Sequence, residues 1–223
     1  MSEEDREELA EFVAQGFAGR EPLTKYSGES VQECYDNYAK PAAYSVLPNL
    51  SFVCIDHFSK NGNEIIGCHL CKEVKFDEIE SNEPSNASKA YEQLNNDFKR
   101  RFLDLHKNDQ VKDYLFIEAI CVKQGFGKKG IATNLFYLVL RNAKQLGYQF
   151  ALVMPTANEV KHIVKYKLNA KKIFAVNFED VQYNDVLFFE GIADPRVYEA
   201  YEISLADVDI DSHRFEILFD LHL

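Results

Sequence analysis

The stretch "EAICVKQGFGKKGIATNLFYLVL", residues 118–140, carries most of the information about the fold. Its glycines Gly125, Gly127 and Gly130 form a G-x-G-x-x-G pattern between an apolar run typical of a buried strand and a run with helical apolar spacing. Glycine-rich turns between a strand and a helix bind phosphate, because backbone N–H groups and the helix dipole converge on the anion. The stretch therefore predicts a ligand that carries phosphate.

Two common phosphate-binding folds do not fit this stretch. A dinucleotide fold places its glycine turn near the start of several βαβ units, with an acidic residue about 20 positions later. Here the glycines fall past the midpoint of the chain, and the next predicted strand, 148–154, offers no carboxylate. A nucleoside triphosphate loop, G-x-x-x-x-G-K-[ST], matches Gly125 and Gly130, but its lysine and hydroxyl positions hold Ile131 and Ala132. Both interpretations fail.

The rest of the chain predicts an α+β or mixed α/β fold and not a long alternation of βα units. A helix that starts at Ser30 is interrupted at Pro41, and a strand hairpin turns at Asn61-Gly62. The predicted elements are, in order, helix 3–18, a turn at 19–28, a helix at 30–46, strands 50–58 and 63–76, helix 88–106, strand 111–122, helix 130–147, strand 148–154, helix 158–168, and closing strands 170–180 and 185–192.

The chain length suits a single domain, residues 1–223. Residues 76–110 are expected to form an insert, which begins as a polar linker and continues as an amphipathic helix. Residues 193–223 are expected to form a C-terminal extension that packs against the sheet.

Composition and charge narrow the function. A formal net charge of −11 argues against nucleic-acid binding and would suit a cationic substrate. No stretch approaches the roughly 20 apolar residues that span a bilayer, and the N-terminus is acidic where a signal peptide is basic. We therefore expect a cytoplasmic protein without a membrane partner, whose five cysteines are reduced. Cys68 and Cys71 have zinc-knuckle spacing but no second pair, so we expect no metal site.

The segment "CVKQGFGKKGIATNLF" resembles the acetyl-CoA loop of the GCN5-related N-acetyltransferase (GNAT) superfamily, Arg/Gln-x-x-Gly-x-Gly/Ala after a strand. The resemblance implies a GNAT fold, with a central, twisted, mostly antiparallel sheet flanked by helices, and acetyl-CoA as co-substrate. Gly127 occupies the Arg/Gln position, so Lys128 or Lys129 is expected to replace that clamp. The resemblance assigns to the cofactor the strand end Ile120, Cys121 and Val122 and the loop residues Gly127, Lys128, Lys129, Gly130, Ile131 and Ala132.

A second segment, "NEVKHIVKYKLNA" at 158–170, resembles the superfamily pattern N-x-x-A-x-x-L-Y-x-K-x-G-F, with Asn158 and Lys167 in register. The resemblance implies that Asn158 lies beside the pantetheine or the thioester. It also implies a tyrosine that protonates the departing thiolate. Lys165 holds the tyrosine position and Tyr166 follows it, so Tyr166 is the candidate acid.

A third segment, "FAGREPLT" at 17–24, resembles the Phe-x-x-x-Glu-Pro-Leu signature of the insect and nematode arylalkylamine (dopamine-type) N-acetyltransferases. The segment "FAVNFEDVQYNDVLFF" resembles their closing strands. This likeness implies direct acetyl transfer to a small primary amine, with Glu21 as the base that removes the amine proton. Glu118 is a second candidate base, because it is a carboxylate within the apolar strand "LFIEAICV".

Two other functions stay open at this point. A protein or peptide N-acetyltransferase would share the cofactor site and accept a polypeptide amine, with the insert and the extension shaping or blocking a groove. A non-catalytic acyl-CoA-binding sensor would account for the missing Arg/Gln and the displaced tyrosine. The superfamily normally has a strand before its first helix, which is either absent here or replaced by the tail. The oligomeric state is also left open.

Overall fold

The structure, a computed structural model, describes residues 3–60, 62–74, 86–105, 113–183, 185–187, 189–192 and 194–210. None of its helices there has both the length and the apolar character needed to cross a membrane. The helices are α1 Glu3–Phe17, α2 Pro22–Ser27, α3 Val31–Cys34, α4 Lys40–Tyr44, α5 Asn86–Leu105, α6 Ile131–Gln145 and α7 Asn158–His162. The strands are β1 Phe52–Asp56, β2 Glu64–Glu73, β3 Tyr114–Val122, β4 Phe150–Val153, β5 Lys171–Asn177, β6 Gln182–Tyr183, β7 Val186–Leu187 and β8 Val197–Ser204.

Six strands form one central sheet in the order β1-β2-β3-β4-β8-β5. Neighbouring strands run antiparallel except β3 and β4, which are parallel and are connected through α6. The mixed α/β architecture with a mostly antiparallel sheet is therefore confirmed. The short strands β6 and β7 pair with each other outside this sheet.

Helices cover both faces of the sheet, and β3 contributes side chains to the cores on both. Ile117 and Ala119 would share one face in a regular strand, but a β-bulge between them places them on opposite faces. Ile117 packs with Phe136 of α6, whereas Ala119 packs with Val13 of α1. Helix α5 buries an aromatic core beside the α1 core, and its described members include Phe98, Phe102, Tyr114, Phe174 and Tyr198.

In the first 45 residues, the structure differs from two of the local predictions. The stretch 19–28, predicted as a turn, contains the helix α2, because the side chain of Glu21 caps it and Pro22 occupies its first turn. The interruption predicted at Pro41 takes the form of a π-helical turn, Tyr35–Ala39, after which the helix continues as α4. Ser30 forms the predicted cap, completed by Glu33 as a capping box.

The C-terminal extension differs most from the prediction. The prediction that it packs against the sheet is wrong for residues Val197–Ser204, which form β8 inside the sheet between β4 and β5. Within the described residues, the closing strand predicted at 185–192 consists only of the two residues of β7. Three strands separate β8 from β1, and no strand precedes α1 in the described part of the chain.

The predicted hairpin is confirmed in β1 and β2, although Asn61 of its turn lies outside the described residues. The helix predicted at 88–106 is confirmed as α5. The polar linker before α5 lies outside the described residues.

Candidate active site

A gap in the sheet opens beside the second half of β3. Strands β3 and β4 pair from Tyr114 and Phe150 to Ile117 and Val153, where their ladder ends. Strand β3 continues to Val122. Within the described residues, its last four positions, 119–122, therefore pair with β2 alone, and the gap lies on the other side of β3, beyond the end of β4.

Glu118 stands at the point where the gap begins, on a β-bulge. Leu70 of β2 pairs with Ala119 and the next residue of β2 pairs with Ile117, so Glu118 has no opposite residue. Its carboxylate pairs with the ammonium of Lys72 at 2.8 Å, and its side chain is only 13% exposed. Its backbone carbonyl accepts a hydrogen bond from the Tyr38 hydroxyl at 3.0 Å. The structure thus places the second candidate base at the gap, already ion-paired.

The glycine-rich stretch connects β3 to α6 as predicted. Gly125 and Gly130 have left-handed φ angles of 89° and 78°, and so does Lys128, at 63°. Gly130 is the N-cap of α6, and no side chain caps the helix there. The first backbone N–H groups of α6 are thus left for an anion, and Lys128 and Lys129 are exposed beside them.

A close approach between α6 and the sheet positions this helix end. A Cβ on Gly67 of β2 would lie 2.7 Å from Cγ2 of Ile131, the first residue of α6. Only glycine therefore allows this spacing. Lys123 joins the loop to the same strand, through a backbone bond to the carbonyl of Ile66 at 2.9 Å and an ion pair with Glu64.

Glu21 is the N-cap of α2, four residues after the end of α1 and close to the end of β3. The neighbouring Arg20 donates from Nη1 to the carbonyl of Val122 at 3.3 Å. One oxygen of Glu21, Oε2, accepts from the backbone N–H and the hydroxyl of Thr24 at 2.7 and 2.8 Å. The other, Oε1, is buried and has no hydrogen-bond partner in the part of the chain that the structure describes. A buried carboxylate oxygen without a donor is costly, so it is positioned to accept a hydrogen bond or a proton from a bound group.

Glu29 is a further acidic residue of this region that the sequence analysis missed. It is half-buried, and its pKa is raised by burial first and then by the charges of Glu33 and Glu21. The thiol of Cys34 is buried near both carboxylates: its pKa is raised to about 11 by burial, then by the charges of Glu29 and Glu21. Two carboxylates thus lie close enough to repel each other beside the end of α1.

Aromatic side chains border the same region. The ring of Phe17 at the end of α1 lies 5.2 Å from that of Tyr38. On α2, Tyr26 packs against Phe189 with ring centroids 6.3 Å apart, and its hydroxyl donates to the carbonyl of Glu190. These contacts join α2 to residues 189–192, which lie between β7 and β8 in the chain.

No protein-family model matches the sequence, and no curated protein matches it. Solved structures do match. A putative arylalkylamine N-acetyltransferase 7 from the mosquito Aedes aegypti has a TM-score of 0.72 and 16% identity, covering 92% of this chain and 85% of the other. The C-terminal condensation domain of Ebony, in complex with beta-alanyl-dopamine, has a TM-score of 0.72 and 17% identity, covering 92% and 96%. Drosophila melanogaster polyamine N-acetyltransferase has a TM-score of 0.63 and 15% identity, covering 90% and 95%. The chain has the N-acetyltransferase fold.

The GNAT fold predicted from the glycine-rich stretch is thus confirmed. In this N-acetyltransferase fold, Glu118 and the strand end 120–122 lie on β3, which leads into the loop 123–130 and the start of α6. Glu21 comes from the start of α2, and its neighbour Arg20 contacts the end of the same strand. The roles of these residues and of the predicted cofactor residues stay predictions, because the likeness establishes the fold alone.

The structure places the remaining predicted residues on α7 and the π-helical turn Ile163–Lys167 that follows it. The amide of Asn158 donates to Asp194 Oδ1 at 2.6 Å. Tyr166 is 70% exposed, with its ring 5.0 Å from that of His162. No contact joins Tyr166 to Glu21 or Glu118 within the described residues, and its role as the acid stays a prediction. Lys167 donates from Nζ to the Thr133 hydroxyl at 3.3 Å, which places a cation beside the first turn of α6.

Proposed function

We propose that the protein is an acetyl-CoA-dependent N-acetyltransferase that acetylates a small primary amine of the arylalkylamine type. One observation carries the proposal. An uncapped helix N-terminus follows β3, and near the end of the same strand the buried Oε1 of Glu21 has no hydrogen-bond partner among the described residues, which supports a cofactor and a base at this gap. The solved neighbours that act on arylalkylamines and polyamines support the same class of substrate.

The residues around the start of α6 fit the phosphates of coenzyme A. The backbone N–H groups of the first turn lack a side-chain cap, and Gly127 has open space where a side chain would project. Lys128, Lys129 and Lys167 bring positive charge to the same helix end in an otherwise acidic chain. When bound, acetyl-CoA supplies the acetyl group as a thioester.

Glu21 is the proposed general base. An alkylamine arrives mostly as an ammonium ion at neutral pH and must lose a proton before its nitrogen can attack a carbonyl carbon. Oε2 of Glu21 is held by Thr24, so the carboxylate is fixed and Oε1 can take the proton directly or through a water. Glu118 is ion-paired with Lys72, and we propose that it positions the gap end of β3 and contributes negative charge.

The walls of the cleft support a small substrate over a polypeptide. Tyr26 joins α2 to residues 189–192 through its ring contact with Phe189 and its hydrogen bond to Glu190, and we propose that this contact closes one side of the substrate cleft. Phe17 and Tyr38 offer aromatic surface near the acidic residues. An aryl group and an ammonium group therefore find complementary partners on neighbouring elements.

The function is tested by measuring thiol release from acetyl-CoA with a panel of amines. We expect turnover with phenylethylamines, slower turnover with polyamines and none with peptide N-termini. Preferred turnover of peptides would assign the protein to the protein N-acetyltransferases. Binding of CoA without turnover of any amine would make it an acyl-CoA sensor.

Replacing Glu29 by glutamine separates substrate binding from chemistry. We expect KM for a cationic amine to rise roughly ten-fold, about 1.4 kcal/mol, with kcat nearly unchanged. The melting temperature of the free protein should rise as well. The pKa of Glu29 is raised in the folded protein, so the free energy of unfolding falls as the pH rises from the unfolded pKa through the folded pKa and Glu29 loses its proton. Glutamine cannot ionise, so the variant avoids this loss.

Glu8→Gln, in the exposed part of α1, is the matched control and should change neither quantity. A fall in kcat with unchanged KM would contradict a binding role for Glu29. An unchanged KM with a higher melting temperature would make Glu29 a purely structural residue.

A further inference from the structure

The ion pair between Lys72 and Glu118 is a charged feature of the gap that the proposed proton transfer does not use. The ammonium of Lys72 lies 2.8 Å from Oε2 of Glu118. Lys72 is also paired with Phe116 across β2 and β3, and its ammonium lies 5.4 Å from the centroid of the Phe116 ring. The ammonium is thus held by a carboxylate and by an aromatic face, the two groups that bind an organic ammonium ion.

This ion pair lies on the face of the sheet that also carries α2. Phe116, beside the ammonium of Lys72, packs against the core that contains Leu23 of α2 and Phe189. Phe189 is the residue that contacts the ring of Tyr26 in the proposed wall of the amine cleft. The Lys72 ammonium and the proposed cleft are therefore on the same side of the molecule.

A short series of contacts joins Glu118 to Glu21. The hydroxyl of Tyr38 donates to the carbonyl of Glu118 at 3.0 Å, and the ring of Tyr38 lies 5.2 Å from that of Phe17. The carbonyl of Phe17 in turn accepts from the backbone N–H of Glu21 at 2.8 Å. The two glutamates are thus found at the two ends of one aromatic pair.

An amine that binds beside Glu21 and carries a second ammonium group would need a second carboxylate. Glu118 is at the far end of the aromatic pair, but its carboxylate is already occupied by Lys72. A lysine on the neighbouring strand competes as an intramolecular ligand, at an effective concentration on the order of 1 mM or more. A second ammonium that entered without displacing Lys72 would be repelled by it, most strongly where side chains exclude water.

We propose that Lys72 is a specificity-determining residue. Its ammonium occupies, on Glu118, the position that a second ammonium of the substrate would need. The site therefore selects amines with one positive charge against diamines and polyamines. This inference rests on the proposed function and names the class of amine that the same site disfavours.

Amine binding to the full chain, saturated with CoA, tests the inference by calorimetry. Each diamine of a polymethylene series, from putrescine to octamethylenediamine, is compared with the monoamine of equal carbon number. In the wild type, every diamine should bind more weakly than its monoamine. In Lys72→Gln, the ratio of the two dissociation constants should shift toward the diamine by about ten-fold or more for at least one chain length, the usual scale of a hydrogen bond between charged groups. The glutamine amide can still donate to Glu118, so the variant should fold.

Three variants serve as controls. Lys72→Arg keeps a cation on Glu118 and should keep the preference of the wild type. Lys40→Gln removes a lysine of similar exposure, 47% against 43%, from an ion pair with Glu7 on another part of the surface, and it should also keep that preference. The double variant Lys72→Gln with Glu118→Gln offers no carboxylate to the second ammonium, so the gain in diamine binding should disappear.

The inference is overturned by an unchanged ratio in Lys72→Gln, by an equal shift in Lys40→Gln or Lys72→Arg, or by a gain that persists in the double variant. If the wild type still acetylates phenylethylamines in any of these cases, the proposed function stands and only the role of Lys72 is wrong. A wild type that neither binds nor acetylates any amine would contradict the proposed function and this inference together.

Discussion

Glu21→Gln should lower kcat/KM for an arylalkylamine by on the order of 10²–10⁴, the usual range for loss of a general base. Glutamine keeps the shape of the side chain and an amide oxygen that can still accept from the backbone N–H of Thr24, so α2 should stay capped. The dissociation constant for acetyl-CoA should not change, because the loss concerns proton acceptance at Oε1 alone. Steady-state kinetics and a CoA titration measure the two quantities.

The pH dependence identifies the role of Glu21. As the pH rises, more of the amine arrives neutral and needs no base, so the deficit of Glu21→Gln should shrink. A deficit of constant size at every pH would indicate that Glu21 positions the substrate. Full activity in the variant would transfer the role to Glu118, to be tested by Glu118→Gln.

Glu33→Gln is the matched control for this experiment. Glu33 is also a glutamate at the start of a short helix, where its side chain receives the backbone N–H of Ser30 at 2.8 Å. Glutamine is accepted at this capping-box position, so the variant should fold and turn over like the wild type. A comparable loss in Glu33→Gln would show that the fall in activity comes from disturbing the α2–α3 region as a whole.

The glycine-rich connection could be predicted from the sequence because its signals are local. The apolar run of β3, the turn glycines and the helical spacing of α6 all fall within residues 118–140. The bulge at Glu118 depends on pairing with β2, so the sequence alone identifies the charge in the strand but not its place at the gap.

Strand β8 was missed because charged residues break its apolar pattern. Its Glu199 is largely covered and forms ion pairs with Lys161 and Lys172, and its Glu202 accepts a hydrogen bond from Tyr114 at 2.6 Å. These partners come from three other elements, so nothing near β8 in the sequence shows that its acids will be compensated. Acidic residues that are paired in the folded protein look, in the sequence alone, like those of an exposed, polar tail.

Glu29 was missed for a related reason. In the sequence it is one acid in "SGES", between a turn glycine and a helix cap. Helix α2, which was predicted as a turn, lies between Glu21 and Glu29 in the chain. In the folded protein the charges of the two glutamates are nevertheless close enough to interact. Because α2 was predicted as a turn, the sequence did not indicate that the carboxylate of Glu29 lies near that of Glu21.

Gly130→Glu should abolish CoA binding, the largest effect we expect on the cofactor side. In the wild type, CoA at about 100 times its dissociation constant should stabilise the protein by roughly 2.7 kcal/mol, which corresponds to a rise in melting temperature of about 5–10 °C. Gly130 caps α6, so a carboxylate there would lie beside the N–H groups proposed to hold the pyrophosphate. It would occupy the position of the pyrophosphate and repel its negative charge, so the CoA-induced rise in melting temperature should disappear.

Gly130→Ala separates this charge effect from backbone strain. Both variants place a Cβ on a residue with φ of 78°, which costs roughly 1–2 kcal/mol and should lower the melting temperature of both free proteins alike. A Cβ at this position fits, since its nearest neighbour would be Asn134 Nδ2 at 3.9 Å. The alanine variant should therefore keep most of the CoA-induced shift. Loss of the shift in both variants would mean that the cap geometry, and not charge, controls binding. A full shift in Gly130→Glu, or a wild type stabilised by NAD or ATP but not by CoA, would remove the cofactor from this helix end and the acetyltransferase proposal with it.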